Sequence, residues 1–318
     1  MLYEVHSTTG ELKKIQLDTH PRGALFKPHI TSGVRDGPAL LVVRYLGSAP
    51  QGSEASDTTE EDSAIEIPLE PDMSCLEKTD VVLHGSPASA YRMGDSYDAW
   101  FSQHFGVSTV LIYLGDGRRA VLGKTLPPKP AQEKQPQGWV SSLTSYITSP
   151  QGSDGGSGAW VSFSDVAPLM VASEPSLQDV RDRLLNGQPV EMYKFRPNIV
   201  VDGAGEDAWA EDFWAELAIG PSEHPQKSIL QVTGNCVRCL SLNVDYQTGK
   251  PAEGELGNVL KRLMKDRRVD TGSKWSPVFG RYAFLDSHHT EGITVSVGDS
   301  VEVTRRNTER SVWDWPDL

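Results

Sequence analysis

Cysteine is scarce in this chain: Cys75, Cys236 and Cys239 are the only three among 318 residues. An odd handful makes no disulfide scaffold, so a reducing intracellular compartment is expected, with thiols free to do chemistry. Long apolar runs are missing too. The longest, residues 39–43, falls far short of the roughly 20 residues that cross a bilayer. Residues 1–6 have neither the basic start nor the apolar run of a signal peptide. Positive charge is also in short supply. Lys and Arg number 30 against 43 Asp and Glu, a net charge of −13, so the chain as a whole is not drawn to nucleic acid or anionic membranes. No Gly-x-Ser-x-Gly occurs, which removes the hydrolase nucleophile elbow. Gly123-Lys124-Thr125 has Arg118 where a phosphate loop needs its first glycine, which removes that reading as well.

What is present is the composition of a soluble globular protein, long enough for one large domain or two ordinary ones. Two stretches interrupt it. Residues 51–62 are acidic, polar and without periodicity. Residues 127–158 are rich in Pro, Gln, Ser and Gly and read as a mobile linker, with Trp139, Val140, Leu143 and Ile147 as its only apolar group. The expected organisation is therefore residues 1–126, a linker over 127–158, and residues 159–318.

Before the linker, residues 40–45, 80–84 and 108–113 read as strands, and 96–105 as a short helix stopped by Gly106. Beyond it, residues 168–171 predict a buried strand. Ser173 then caps a helix carrying Leu177, Val180 and Leu184 and ending at Gly187. Trp209, Phe213, Trp214 and Leu217 predict a second helical stripe, and Leu256, Leu260, Leu263 and Met264 a third. Ile293, Val295 and Val297 alternate as a strand, and Gly298-Asp299 turns the chain into Val301 and Val303. Trp313-Asp314-Trp315 reads as a surface tail. The irregular interleaving of strands and helices argues for an α+β, β-rich, barrel-like core and against a doubly wound sheet.

Cys236-Val237-Arg238-Cys239 is the sharpest local feature. A zinc half-site needs a second ligand pair, and neither another Cys-x-x-Cys nor a well-spaced His pair exists, since the adjacent His288 and His289 point apart in a strand. A redox pair needs a βαβ context that is lacking. Two ordinary buried thiols on a strand remain the bland alternative. Against it stands Arg238, whose charge beside Cys239 favours the thiolate, the form that binds soft metals. Phe195-Arg196-Pro197-Asn198 leads into the apolar Ile199-Val200-Val201 and offers a guanidinium fork for phosphate plus an amide for a heterocycle edge. Pairing of Arg196 with one of many carboxylates explains it equally well.

Taken in order, these segments resemble the MOSC domain, named for the C-terminal domain of molybdenum-cofactor sulfurases, and within it the amidoxime-reducing type. The resemblance runs through Phe163-Ser164-Asp165, Ser173 to Leu177, Phe195 to Val200 and Ala210 to Gly220. It continues with Cys236 to Cys239, Asp245, Thr248-Gly249, Pro277 to Gly280 and Ile293 to Asp299. Residues 82–105, with His84-Gly85 and Gly94-Asp95, resemble the β-rich N-terminal companion domain of the same family.

The resemblance implies a molybdenum cofactor (molybdopterin) with Cys239 as the protein's metal ligand and catalytic thiolate. Arg196, Asn198 and Arg238 match positions that hold the pterin and its phosphate, and Ser173 a position at a helix N-terminus. It implies reduction of N-hydroxylated compounds such as amidoximes and hydroxylamines, with electrons from a small haem cytochrome and its NADH-dependent reductase. No pyridoxal-phosphate domain is expected in this sequence. Val237 stands where the family commonly has a small polar residue. Met1 aligns beyond the family's Lys-Ser pair and Asp-Arg segment, which implies a partial N-terminal domain and weakened cofactor binding. A non-catalytic cofactor carrier, or a MOSC fold without cofactor, is therefore the alternative function.

Overall fold

The computed structural model describes residues 1–31, 38–47, 64–123, 159–185, 189–223, 227–286 and 293–316. The acidic stretch and the expected linker lie outside them, as do Gly187, Lys124, Thr125, His288 and His289. In the N-terminal part the strands are β1 (Leu2–Val5), β2 (Leu12–Lys14), β3 (Phe26–Thr31), β4 (Leu40–Tyr45), β5 (Ala64–Pro68), β6 (Glu77–Leu83), β7 (Ser86–Arg92), β8 (Thr109–Tyr113) and β9 (Arg119–Ala120). Five of them form a sheet in the order β2-β1-β8-β7-β6, and β3-β4-β5 form a second. Helix α1 (Asp95–Phe105) packs Phe101 and Phe105 between them, where Phe26 stacks on Phe105 at 4.5 Å. It ends at Gly106 in the left-handed conformation, as its sequence predicts.

The C-terminal part holds β10 (Trp160–Val161), β11 (Leu169–Ser173), β12 (Ile199–Val201), β13 (Trp214–Gly220), β14 (Ser228–Val237), β15 (Val244–Asp245), β16 (Lys250–Pro251), β17 (Val278–Leu285) and β18 (Ser300–Arg306). Six of these make the central sheet, β12-β11-β17-β14-β13-β18. Helix α2 (Glu174–Asp182) carries the chain from β11 to its parallel neighbour β12, and helix α3 (Val259–Leu263) packs below. Both faces of this sheet are covered. Met170, Ala172, Cys236 and Phe279 look one way, into a core shared with both helices. Val171, Leu217, Leu230, Val232 and Ala283 look the other way, around Trp214. Strands buried on both sides read as continuous apolar runs, which is what residues 169–172 show. The fold is α+β and β-rich, as its irregular element order implies.

Three local expectations are corrected. The stripe of Trp209, Phe213, Trp214 and Leu217 is not a helix: a 3-10 turn (Ala210–Phe213) passes directly into β13. Trp209 has a φ of 70°, which stops helical propagation, and β14 and β18 on either side capture the following residues as a strand. Ile293, Val295 and Val297 form no strand, because the open edge of β13 is filled by Ser300 to Arg306 instead. Trp313 to Trp315 is no surface tail. Trp315 is 6% exposed and its indole N–H donates 2.8 Å to the carbonyl of His84 in the N-terminal part.

The tail is locked by a buried polar network. Arg267 forms a two-pronged bond to Asp212 (2.7 and 2.9 Å), and Arg310 from the tail donates to the same carboxylate at 2.8 Å. Asn235 donates to Asp270 and to the Ser311 carbonyl, and Arg281 donates to Asn235 and to the Ser311 hydroxyl. Burial lowers the Arg281 pKa to about 10.

Beside this network lies Glu211, fully buried, whose Oε2 accepts from Ser173 (3.0 Å) and Ser176 (2.8 Å) while Oε1 has no partner. Burial raises its pKa above the ordinary 4.5. A raised carboxyl pKa means that the native state holds its proton more tightly than the unfolded chain. Its ionisation therefore costs stability as pH rises above the unfolded value. Glu211→Gln keeps an acceptor for both serines and carries no charge. It is expected to be more stable than wild type by on the order of 1 kcal/mol at about pH 8, with the gain shrinking toward about pH 5. Thermal unfolding across that range checks it, and a gain that is independent of pH would refute the ionisation argument.

Candidate functional site

The two cysteines of Cys-x-x-Cys meet opposite fates, because β14 ends between them. The pairing of β14 with β17 is irregular between Asn235 and Val237, and the chain then leaves the sheet into a 3-10 turn (Leu240–Asn243). Cys236 faces the core at 2% exposure, whereas Cys239 opens the turn and is exposed to solvent. The Cys239 thiol lies 3.1 Å from the Ser241 hydroxyl, which can donate to a thiolate.

Arg238 does not sit where its sequence position suggests. Its Nη1 donates to Cys236 Sγ (3.0 Å) and its Nη2 to the Phe195 carbonyl (2.9 Å), so the direct contact is with the buried cysteine and not with Cys239. The backbone N–H of Arg238 on Pro277 turns the side chain inward. Burial opposes its charge, yet Cys236, Tyr282 and Cys239 together hold its pKa above the ordinary arginine value. Its Nε is buried without a partner. Cys236 is further enclosed by Tyr282, whose phenol burial pushes well above its ordinary pKa.

Arg196 closes a 3-10 turn (Met192–Phe195) at φ 57°, a left-handed position that a side chain seldom takes without a reason. Its guanidinium is exposed and has no hydrogen bond or ion pair among the described residues. The pairing with a carboxylate that its sequence allowed is absent from that set. Its charge acts on Asp165 and on Tyr246. Asn198 accepts the Met170 N–H at 2.8 Å and ties the same loop to β11. Ser173 lies on the far side of that strand, capping α2 and donating to Glu211, with its hydroxyl fully occupied.

A second group is brought in by the N-terminal part: sequence reasoning named His84 and Asp165 within the resemblance without a site role, and missed Lys14 and Arg119. Leu83 and Ser86 pair across a two-residue turn, His84-Gly85, with φ of 54° and 73°, the geometry that tight hairpins require. That turn aims the His84 ring at Asp165 (3.1 Å) and at the Lys14 ammonium (3.1 Å). The hydrogen bond from His84, opposed by burial and helped by Arg196 and Lys14, holds Asp165 at about 2. Burial lowers the pKa of Lys14, whose charge acts on Asp165 and on Cys239. Arg119, fully buried, fixes this arrangement. One guanidinium donates to the carbonyls of Leu83 (2.7 Å), Ser162 (2.8 Å), Ser164 and Asp165 (2.7 Å), clamping the His84 hairpin to the Asp165 loop. The loop after Cys239 also docks on the N-terminal part. Gly249 has a φ of 61°, and a Cβ there would lie 2.7 Å from Leu25, so only glycine admits the approach. Local spacing carries no trace of partners this distant in the chain.

Lys14 and Arg238 act electrostatically on the exposed Cys239 thiol, and Arg196 acts on Asp165 and Tyr246. No group of three or more His, Cys, Asp or Glu suited to a metal occurs among the described residues. The arrangement suits a soft ion that arrives carrying most of its own ligands within an anionic group. A cavity of about 630 Å³ between β13, β14 and the tail contains none of these residues.

A family model, the MOSC domain, matches residues 158–302. Residues 158–302 are a MOSC domain. Among curated relatives, the human mitochondrial amidoxime-reducing component 1 is 36% identical over 145 residues, the mouse protein 38% over 143 and the bovine component 2 38% over 142. Each match covers 44% of this chain and 38% of the relative, so the aligned stretch spans well under half of those proteins. Cys239, Arg238, Arg196 and Asn198 all fall inside the MOSC domain. Lys14, His84 and Arg119 lie before it. No helix among the described residues is long and apolar enough to cross a membrane.

Proposed function

We propose that this MOSC protein binds a molybdenum cofactor at Cys239 and acts as a reductase of N-hydroxylated compounds. The observation that carries the proposal is the exposed Cys239 thiol in company with two arginines that keep unused donors: the Arg196 guanidinium, without a hydrogen bond among the described residues, and the buried, unpartnered Nε of Arg238. These suit an anionic pterin phosphate, and one soft thiolate suits a metal already held by a dithiolene. In this reading Cys239 supplies the protein's metal ligand, with Ser241 donating to its sulfur. Arg196 and Arg238 hold the anion, Asn198 positions the Arg196 loop, and Ser173 supports the site from the N-terminus of α2. When bound, the metal supplies the oxygen-atom and electron-transfer chemistry. The protein supplies charge and orientation. A small haem cytochrome with an NADH-dependent reductase fits the electron demand of such a reaction, and residues 1–126 serve as its companion domain.

The test is molybdenum and pterin content in protein purified from a host that makes the cofactor. Wild type should carry both, at less than one equivalent because the partial N-terminal domain weakens binding, and their absence would remove the reductase reading. Arg196→Ala should lose most of its pterin, since charge-assisted bonds to phosphate are worth about 1.5–3 kcal/mol each. An exposed arginine with no ligand would contribute only about 0–1 kcal/mol, so unchanged pterin in this variant would strike Arg196 from the site.

A further inference from the structure

Tyr246 lies in the loop after Cys239, and its phenol oxygen is buried with no hydrogen-bond partner. Lys194, which stands over the Tyr246 ring, donates to the Leu242 carbonyl in the turn that Cys239 opens, and the charges of Arg196, Arg238 and Cys239 act on the phenol. Two ammonium groups stand over its ring: Lys27 from β3 at 5.7 Å and Lys194 at 5.9 Å. Tyr193, largely exposed, packs against the same ring at 5.3 Å. Lys194 is only 5% exposed, yet its ammonium makes a single long hydrogen bond, 3.3 Å to the Leu242 carbonyl. Burial lowers its pKa, which the Asp245 charge partly offsets.

A buried ammonium and a buried phenol each cost free energy when their donors go unused. Here both do, with the Lys194 ammonium 5.9 Å from the centre of the Tyr246 ring, and both are donors. Packing against the aromatic ring accounts for part of the cost of the two lysines, since a cation over a ring face is attracted to it. It leaves the phenol hydrogen and the remaining Lys194 hydrogens without an acceptor. The chemistry that satisfies them together is an oxyanion.

We propose that Tyr246, Lys194 and Lys27 form an anion-recognising wall beside Cys239, which selects ligands carrying a carboxylate or phosphate group. Resting on the reading of Cys239 as the metal ligand, it assigns the reductase negatively charged N-hydroxylated substrates. Arg196 and Arg238 remain for the cofactor. The wall is built across the chain, with Lys27 from the N-terminal part and Lys194 and Tyr246 from the MOSC domain. Neither part alone holds it.

Inorganic phosphate is the probe, titrated by calorimetry into cofactor-free and cofactor-loaded protein, with Tyr246→Phe and Lys194→Gln as variants. Phosphate should bind wild type in both forms, and each variant should bind it about tenfold or more weakly, as expected for losing one charge-assisted bond. Tyr246→Phe should unfold at the same temperature as wild type or higher, because it removes an unsatisfied buried hydroxyl. A lower unfolding temperature with unchanged phosphate binding would make Tyr246 merely structural and overturn the wall. Phosphate binding that vanishes on cofactor loading would hand these donors to the cofactor's own phosphate and overturn the substrate assignment. Wild type that binds phosphate but carries no molybdenum would keep the wall and remove only the reductase reading.

Discussion

Cys239→Ser should abolish molybdenum in the purified protein, while Cys236→Ser should retain most of it. The asymmetry follows from where β14 ends. Cys239 is exposed at the start of a turn, and among the described residues its sulfur makes a hydrogen bond with Ser241. Cys236 is buried, contacts Arg238 at 3.0 Å and packs against Tyr282, so an incoming metal has no path to it. Serine keeps an acceptor for Arg238 at position 236. At position 239 it replaces a soft ligand by a hard, protonated hydroxyl that a sulfur-ligated metal does not prefer. Metal analysis of the two variants beside wild type, normalised to protein, gives the answer directly. Equal loss from both would point to a paired-thiol site and discard the single-ligand arrangement.

Asp212→Ala should destabilise the fold by about 3–5 kcal/mol, the usual consequence of stripping one partner from a buried ion pair. Asp212 and Arg267 are almost wholly buried, and Arg267 also lies 3.9 Å over the Trp209 ring. Without the carboxylate, the Arg267 side chain keeps, among the described residues, a 3.3 Å bond to the Val278 carbonyl, and Arg310 loses its bond to Asp212. The tail that carries Trp315 to the His84 carbonyl is then held by fewer bonds. Asp212→Leu combined with Arg267→Met should recover part of the loss, because removing both charges leaves less buried charge uncompensated. Denaturant unfolding measures both. A loss under about 1 kcal/mol for the alanine variant would mean that water reaches Arg267 freely, contrary to its burial.

Legibility followed the range of the interactions. Helix α1 with its Gly106 stop, and α2 with its Ser173 cap, were plain because a cap and a 3.6-residue stripe lie within a dozen residues. β13 was misread as a helix for the converse reason: when both strand faces are buried, period two disappears, and only the neighbours β14 and β18 show which structure forms. Val295 and Val297 show the reverse error, an alternating pattern with no strand beside it to pair with. In the candidate site, Arg196, Asn198 and Cys239 stood out through the order of motifs. Lys14, Arg119, Lys194 and Tyr246 did not, because each acts on residues that only folding brings near.

The order and chemistry of its motifs, by themselves, carried the resemblance to the MOSC domain beyond residue 158, and the family model matches residues 158–302. They also placed a soft thiol next to an arginine, a local matter of residue identity and spacing. The tertiary structure alone decided which thiol is reachable, since the end of β14 turns Cys236 into the core and Cys239 out to solvent. It alone decided that Arg238 faces Cys236, and that Lys14 from the N-terminal part acts on Cys239. Charge balance is a property of the whole sequence, whereas a site's field is set by the side chains that folding gathers within about 10 Å, the distance over which salt screens it.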